Sequence, residues 1–136
     1  MSLEIQQRSR EGLAVLDVSG RITVGSEAGE LRQQVAALAA AGSKNIILNL
    51  AGVDYIDSTG LGALVICATT LRKSGGDIKL LNLNKRNLEL LVITKLATVF
   101  ALFTDEQDAV NSFFPDREIK TFDILSFVQQ LKREEG

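Results

Sequence analysis

The 136 residues predict an α/β domain with a mixed β-sheet that opens on an N-terminal β-hairpin, and three observations carry that prediction. Two strand-like runs come before any helical spacing. From Ser26 onward, segments with apolar residues at helical intervals alternate with short, nearly continuous apolar runs. The links between them are short, which favours parallel strands joined by right-handed crossovers. A chain of this length holds one core.

The elements follow in order. Leu3, Ile5 and Gln7 alternate with polar neighbours, and after Arg8-Ser9-Arg10-Glu11-Gly12 the run Leu13-Ala14-Val15-Leu16-Asp17-Val18 completes the hairpin, ended by Gly20. Ala28, Leu31, Val35 and Leu38 mark a first helix from Ser26, stopped at Gly42. Ile46 to Leu50 reads as a central strand covered on both faces, with Gly52 to Asp57 as its exit loop. Leu61, Leu64, Val65, Ala68 and Leu71 repeat at the spacing of a second helix, closed by Ser74-Gly75-Gly76. Ile78 to Leu83 is the next strand, Leu88, Leu91 and Val92 one face of a third helix, and Val99 to Phe103 the last strand. Thr104 and Gln107 form a capping box for a fourth helix with Ala109, Val110 and Phe113, and Pro115 stands where it should stop. Residues 1–114 thus make the domain and 115–136 an extension. In the extension Asp123 caps an amphipathic helix with Ile124, Phe127, Val128 and Leu131 on one face, before the solvated end Lys132-Arg133-Glu134-Glu135.

Composition then narrows the function. The chain has no His and a single Cys, Cys67, which excludes imidazole ligands, a Ser-His-Asp triad, disulfides within the chain and thiolate metal clusters. Fifteen Lys and Arg against seventeen Asp and Glu, with no long block of one sign, do not make the footprint of a nucleic-acid binder. A protein partner or a small ligand is expected instead. Met1-Ser2-Leu3-Glu4 leads no cationic segment into an apolar run, and no apolar stretch is long enough to span a bilayer, so the expectation is a cytoplasmic protein without direct membrane insertion.

The densest signal is Val53-Asp54-Tyr55-Ile56-Asp57-Ser58-Thr59-Gly60-Leu61-Gly62, which leaves the carboxyl end of the central strand and opens a helix. Sites of α/β sheets collect at such places. Two readings stay open. In one, Asp57 or Ser58 only caps the helix by accepting from the amide of Thr59, Gly60 or Leu61. In the other, Ser58 accepts a phosphate beside free amides and the positive end of the helix dipole. The neighbouring Asp57 carboxylate would then crowd a group of about two negative charges, and a partner fitted to the unmodified surface would be repelled.

Ile47-Leu48-Asn49-Leu50, followed by Val53, Ile56 and Asp57-Ser58-Thr59-Gly60-Leu61-Gly62, resembles the STAS domains of bacterial anti-sigma factor antagonists. The resemblance runs from about Leu3 to Phe113 and takes in Gly20 and Leu80-Leu81-Asn82-Leu83. It implies a STAS-type mixed sheet with packed helices, to which the extra C-terminal helix is an addition. It further implies that Ser58, the first hydroxyl after the aspartate, is phosphorylated by an anti-sigma factor that is an ATP-dependent serine kinase. The unphosphorylated antagonist binds that kinase and frees the sigma factor, and a PP2C-type phosphatase resets the cycle. Many members carry an aspartate shortly after the glycine of the second strand; here Gly20-Arg21-Ile22-Thr23 puts Thr23 at that place, and the carboxylate's role does not carry over.

Other motifs weigh less. Gly60-Leu61-Gly62-Ala63-Leu64-Val65 has Val65 where a dinucleotide fingerprint needs its third glycine, and Asp54 with Asp57 has nothing to complete a metal or paired-carboxylate site. Cys67 in an apolar helix reads as a buried, inert thiol, and Lys73, Lys79, Lys85 and Arg86 as solvated surface. No cofactor and no metal are expected.

The expectation is therefore a phosphorylation-switched binding module rather than an enzyme. Ser58 is the acceptor, Asp57, Thr59, Gly60 and Gly62 form the switch loop, with the glycines permitting close approach of another backbone, and Ala63, Ile66, Thr70 and Thr23 meet the partner. Thr59, Ala63, Ile66 and Thr70 make one small, mildly apolar stripe of the second helix, read as a docking surface or, alternatively, as a second packing layer. The amphipathic C-terminal helix must bury its face on its own domain, on a second copy or on a partner, and a homodimer through it is the favoured expectation. The rival function is a constitutive interaction or scaffold subunit, for example of a membrane transport complex, in which Ser58 is only a cap.

Overall fold

Leu13–Ile22 (β2) and Asn45–Ile56 (β3) form the spine of a five-stranded sheet, running parallel through most of their length. The computed structural model describes residues 3–135. The Met1-Ser2 start, read above for the absence of a leader-like run, lies outside them. Glu4–Arg10 (β1) pairs antiparallel with β2, so the opening hairpin is as expected, and Asp77–Leu81 (β4) and Ala101–Phe103 (β5) extend the sheet in parallel on the other side. The strand order in space is the order in the chain, β1-β2-β3-β4-β5.

Ser26–Ala40 (α1), Ser58–Lys73 (α2) and Lys85–Ile93 (α3) cover one face, and Glu106–Asn111 (α4) covers part of the other. Period-two alternation explains the near-continuous apolar runs. Ala14, Leu16 and Val18 of β2 and Ile46, Leu48 and Leu50 of β3 point to the larger core, while Leu13, Val15 and Ile47 point to a smaller one with Leu81, Phe103, Ala109 and Val110. Both faces are dry only where α4 reaches; beyond it Asp17 and Asn49 bond to each other at 2.8 Å. The hairpin is tied to α4 by Arg8 and Arg10, whose guanidinium groups both grip Glu106, with Arg8 also bonding Asp17.

Two expectations about local structure are corrected. Neither β2 nor β3 ends at its glycine. Pairing continues through Gly20 with Val53, Arg21 with Tyr55 and Ile22 with Ile56, so the stretch read as an exit loop is strand. Gly20 takes φ +107°, where a register shift is absorbed, and a Cβ on Gly52 would sit 2.7 Å from that of Ser19. The cap of α4 is Asp105, which accepts from the Asp108 amide at 3.0 Å, and not Thr104. Gln107 instead bonds Arg10, Glu11 and Asn111.

The C-terminal extension forms the helix Ile124–Glu135 (α5). Asp123 caps it as expected, accepting from the Ser126 amide at 3.1 Å. The first part of its apolar face lies on its own chain. The Phe122 amide donates to the Leu102 carbonyl of β5 at 2.9 Å, Phe122 and Phe127 meet edge to face at 5.7 Å, and both pack with Ile124 against the main core. Lys85 of α3 reaches Glu134 at 2.8 Å. Val128 and Leu131, the rest of the stripe expected to join two copies, are half-buried and line a cleft with Val92 and Ile93 of α3. Among the described residues no helix is long and apolar enough to cross a membrane.

Candidate functional site

The carboxyl ends of β2 and β3 bring the Arg21–Val24 segment beside the start of α2, and one side chain fastens them. Asp57 leaves β3 in extended conformation and accepts at Oδ1 from the Gly60 amide at 2.7 Å, the N-cap of α2. Its Oδ2 accepts from the Val24 amide at 2.9 Å, and its own amide donates to the Ile22 carbonyl at 3.2 Å. The two open readings of the loop are thereby divided. Asp57 is the cap, and Ser58 is exposed with no side-chain hydrogen bond among the described residues.

The loop glycines do different things. A Cβ on Gly60 would lie 2.0 Å from the Ile22 carbonyl oxygen, so this glycine lets the first turn of α2 press on the end of β2; the close backbone is the chain's own. Gly62 is exposed with open space around it. Thr59 is exposed, Ile66 is 46% exposed, Thr70 is half-buried and Thr23 is half-buried next to Val24. Ala63 does not belong with them. It is 2% exposed and lies on the buried arc of α2 with Gly60, Leu64, Cys67 and Leu71, where α2 packs against α1 and the sheet. The outer face consists of Ser58, Thr59, Gly62, Ile66 and Thr69, and no charged side chain interrupts it before Arg72 and Lys73.

Sequence spacing missed the far wall of the site. Asn84 caps α3 by accepting from the Asn87 amide at 2.8 Å and donates from Nδ2 to the carbonyls of Val53 and Asp54 at 3.2 and 3.3 Å. Asn87, 1% exposed, donates to the same Val53 carbonyl at 3.2 Å. These bonds hold α3 against the β3 segment that leads into Ser58. The signal was present as Asn-x-x-Asn before an apolar run, the spacing of a side-chain cap. Between α3 and the start of α2 lies a cleft of about 260 Å³ that includes Tyr55, Ser58, Arg86 and Ile93.

The lesser motifs end as structural features. Among the described residues no three His, Cys, Asp or Glu side chains gather to hold a metal, and Gly60 and Gly62 lie within α2 rather than in a phosphate-cradling loop. Cys67 is buried, and its thiol is pushed up to about 12 by that burial, which keeps it unreactive.

A family model, the STAS domain, matches residues 4–109. The chain belongs to the STAS domain family. An anti-sigma-B factor antagonist of Bacillus subtilis is 32% identical over 110 residues, covering 81% of this chain and 99% of that protein. The crystal structure of an anti-sigma factor antagonist from Mycobacterium paratuberculosis superimposes with a TM-score of 0.72 at 24% identity, covering 82% of this chain and 93% of that one. The Bacillus cell fate determinant SpoIIAA in its phosphorylated form superimposes at 0.63 and 18% identity, covering 81% and 99%. Structure and family agree on a STAS-type α/β fold, and α5 lies beyond the matched residues.

Proposed function

We propose that this STAS domain is an anti-sigma factor antagonist, a binding module whose attachment to a serine kinase is switched by phosphorylation of Ser58. The carrying observation is the division of labour at the α2 terminus. Asp57 makes both bonds that build the loop, which leaves the Ser58 hydroxyl exposed and free of structural duty. A group added there changes the surface without dismantling the turn. The name of the Bacillus subtilis relative supports the same reading.

In the unmodified state the outer face of α2, Ser58, Thr59, Gly62 and Ile66, is uncharged and easily desolvated, and with Thr23 and Val24, 69% exposed, it offers a continuous surface to the kinase. The Ser58 oxygen attacks the γ-phosphorus of ATP, ADP leaves, and the hydroxyl proton passes to a base on the kinase. The product carries about two negative charges beside Asp57, and burying them against the same partner costs more than the uncharged contacts return. The antagonist is released, and hydrolysis by a PP2C-type phosphatase restores it.

Intact-mass analysis of the protein with ATP and the candidate serine kinases of its own genome tests this. Gain of one phosphate, lost in Ser58→Ala, is expected, together with kinase binding by the unmodified form only. No incorporation with any candidate overturns the switch and leaves a constitutive interaction subunit. Undiminished incorporation in Ser58→Ala moves the acceptor to Thr59.

A further inference from the structure

One arginine lines the cleft beside the acceptor. Ser58 and Arg86 line it together, and the Arg86 guanidinium lies 4.4 Å from the centre of the Tyr55 ring. Arg21 approaches the same ring at 5.9 Å. Among the described residues neither guanidinium has a carboxylate partner, as is also true of Arg32 and Arg133, whereas Arg8, Arg10, Arg72 and Arg117 do. An exposed arginine resting on a ring face is held weakly. A forked pair with phosphate oxygens is shorter, charge-assisted and better matched to the planar guanidinium.

The charged groups around Ser58 give a phosphate a direction. Asp57 is adjacent, and its oxygens already hold the Gly60 and Val24 amides, so it repels a phosphate and keeps those two donors from it. Asp54 is exposed on β3, and Glu89 stands on α3 in the cleft one turn after Arg86. Arg21 lies on β2 and Arg86 at the start of α3. Of the two cations, Arg86 shares the cleft with the Ser58 hydroxyl.

We propose that Arg86 receives the phosphate on modified Ser58, leaving the Tyr55 ring to form a forked ion pair that closes the cleft between α2 and α3. This rests on Ser58 being the acceptor and adds the side chain that holds the phosphate. Phosphorylation then seals a surface as well as charging one. The exposed Ile93 at the other end of α3 loses the open cleft beside it.

The sequence supplies its own probe. It has one tyrosine and no tryptophan, so its intrinsic emission reports Tyr55 alone. Full-length protein with phosphoserine installed at position 58 during translation is compared with the same protein carrying Arg86→Ala, Arg86→Lys or Arg21→Ala. Phosphorus NMR should show a second phosphate pKa lower by about 0.5–1 in the parent than in Arg86→Ala, with Arg86→Lys between them and the gap narrowing at high salt. Tyr55 emission should change on phosphorylation in the parent and not in Arg86→Ala. Equal phosphate pKa values in parent and Arg86→Ala overturn the proposal. So does a rise confined to Arg21→Ala. Because no kinase is used, failure of every kinase to modify Ser58 overturns the proposed function without altering this result.

Discussion

Substitutions at Asp57 and Ser58 should separate sharply, because adjacent residues carry opposite duties. Asp57→Ala removes the N-cap bond to Gly60, worth about 1 kcal/mol, and strands the Val24 amide that the second oxygen held, a charge-assisted bond worth about 1.5 kcal/mol at a partly exposed site. The expected loss is about 2–3 kcal/mol. Asp57→Asn keeps one acceptor oxygen and the cap preference but gives up the bond to Val24, for about 1.5 kcal/mol. Ser58→Ala removes a hydroxyl that bonds to nothing among the described residues and should cost less than about 0.5 kcal/mol. Urea unfolding of the three variants measures the order, and amide exchange at Val24 should quicken in both Asp57 variants and not in Ser58→Ala. A Ser58→Ala loss equal to that of Asp57→Ala would show that Ser58 shares the cap, and the argument for a free hydroxyl would fall.

Other outcomes follow from the same geometry. Gly60→Ala should cost about 3 kcal/mol or more by driving a Cβ into the Ile22 carbonyl, whereas Gly62→Ala, in open space within a helix, should be neutral or stabilising by up to about 1 kcal/mol; thermal melts that rank them equally would refute the packing account. Ala63→Arg should unfold or severely weaken the domain, while Ile66→Arg should leave the melting temperature nearly unchanged and abolish kinase binding, and a stable Ala63→Arg would show α1 and α2 to be less closely packed than described. Glu106 is held down to about 2, first by its bond to Arg8 and then by Arg10, against an ordinary 4.5. A depressed carboxyl stabilises fully above its unfolded value and loses that contribution as pH falls from about 4.5 toward 2, here about 1 kcal/mol once solvent screening is allowed for; acid unfolding of Glu106→Gln that retains the same pH dependence would refute it.

What the sequence revealed depended on how local the cause was. Helix α1 was legible from apolar spacing alone, and α2 and α5 from apolar spacing with a single cap, Asp57 or Asp123, because these causes act within a few residues. The true ends of β2 and β3 were not. Glycine was read as a stop, whereas at Gly20 and Gly52 its missing side chain is what lets the strands keep pairing. Ala63 failed for a related reason: a small residue suits a bare surface and a close helix contact equally, and only the position of α1 decides between them. Ser58 and Asp57 were found as a pair, but their roles were divided by the Val24 amide, which lies 33 residues from Asp57. The grouping of Arg21 and Arg86 around Tyr55 comes from three separate elements, and no spacing rule joins them.

A sheet whose strands lie side by side in the order they are made never has to open to admit a latecomer. As the chain leaves the ribosome each new strand can settle on the last one finished, and the only unpaired border that moves is the growing one. Contacts between successive strands stay short in sequence, which lowers the loop-closure entropy of each step and favours rapid folding for a largely parallel topology. When growth ends, both borders are poor templates for another molecule: β1 presents Glu4, Arg8 and Arg10, and β5 is three residues long with the Phe122 amide already bonded to Leu102. Edge-to-edge pairing with a second copy along a strand is thereby disfavoured.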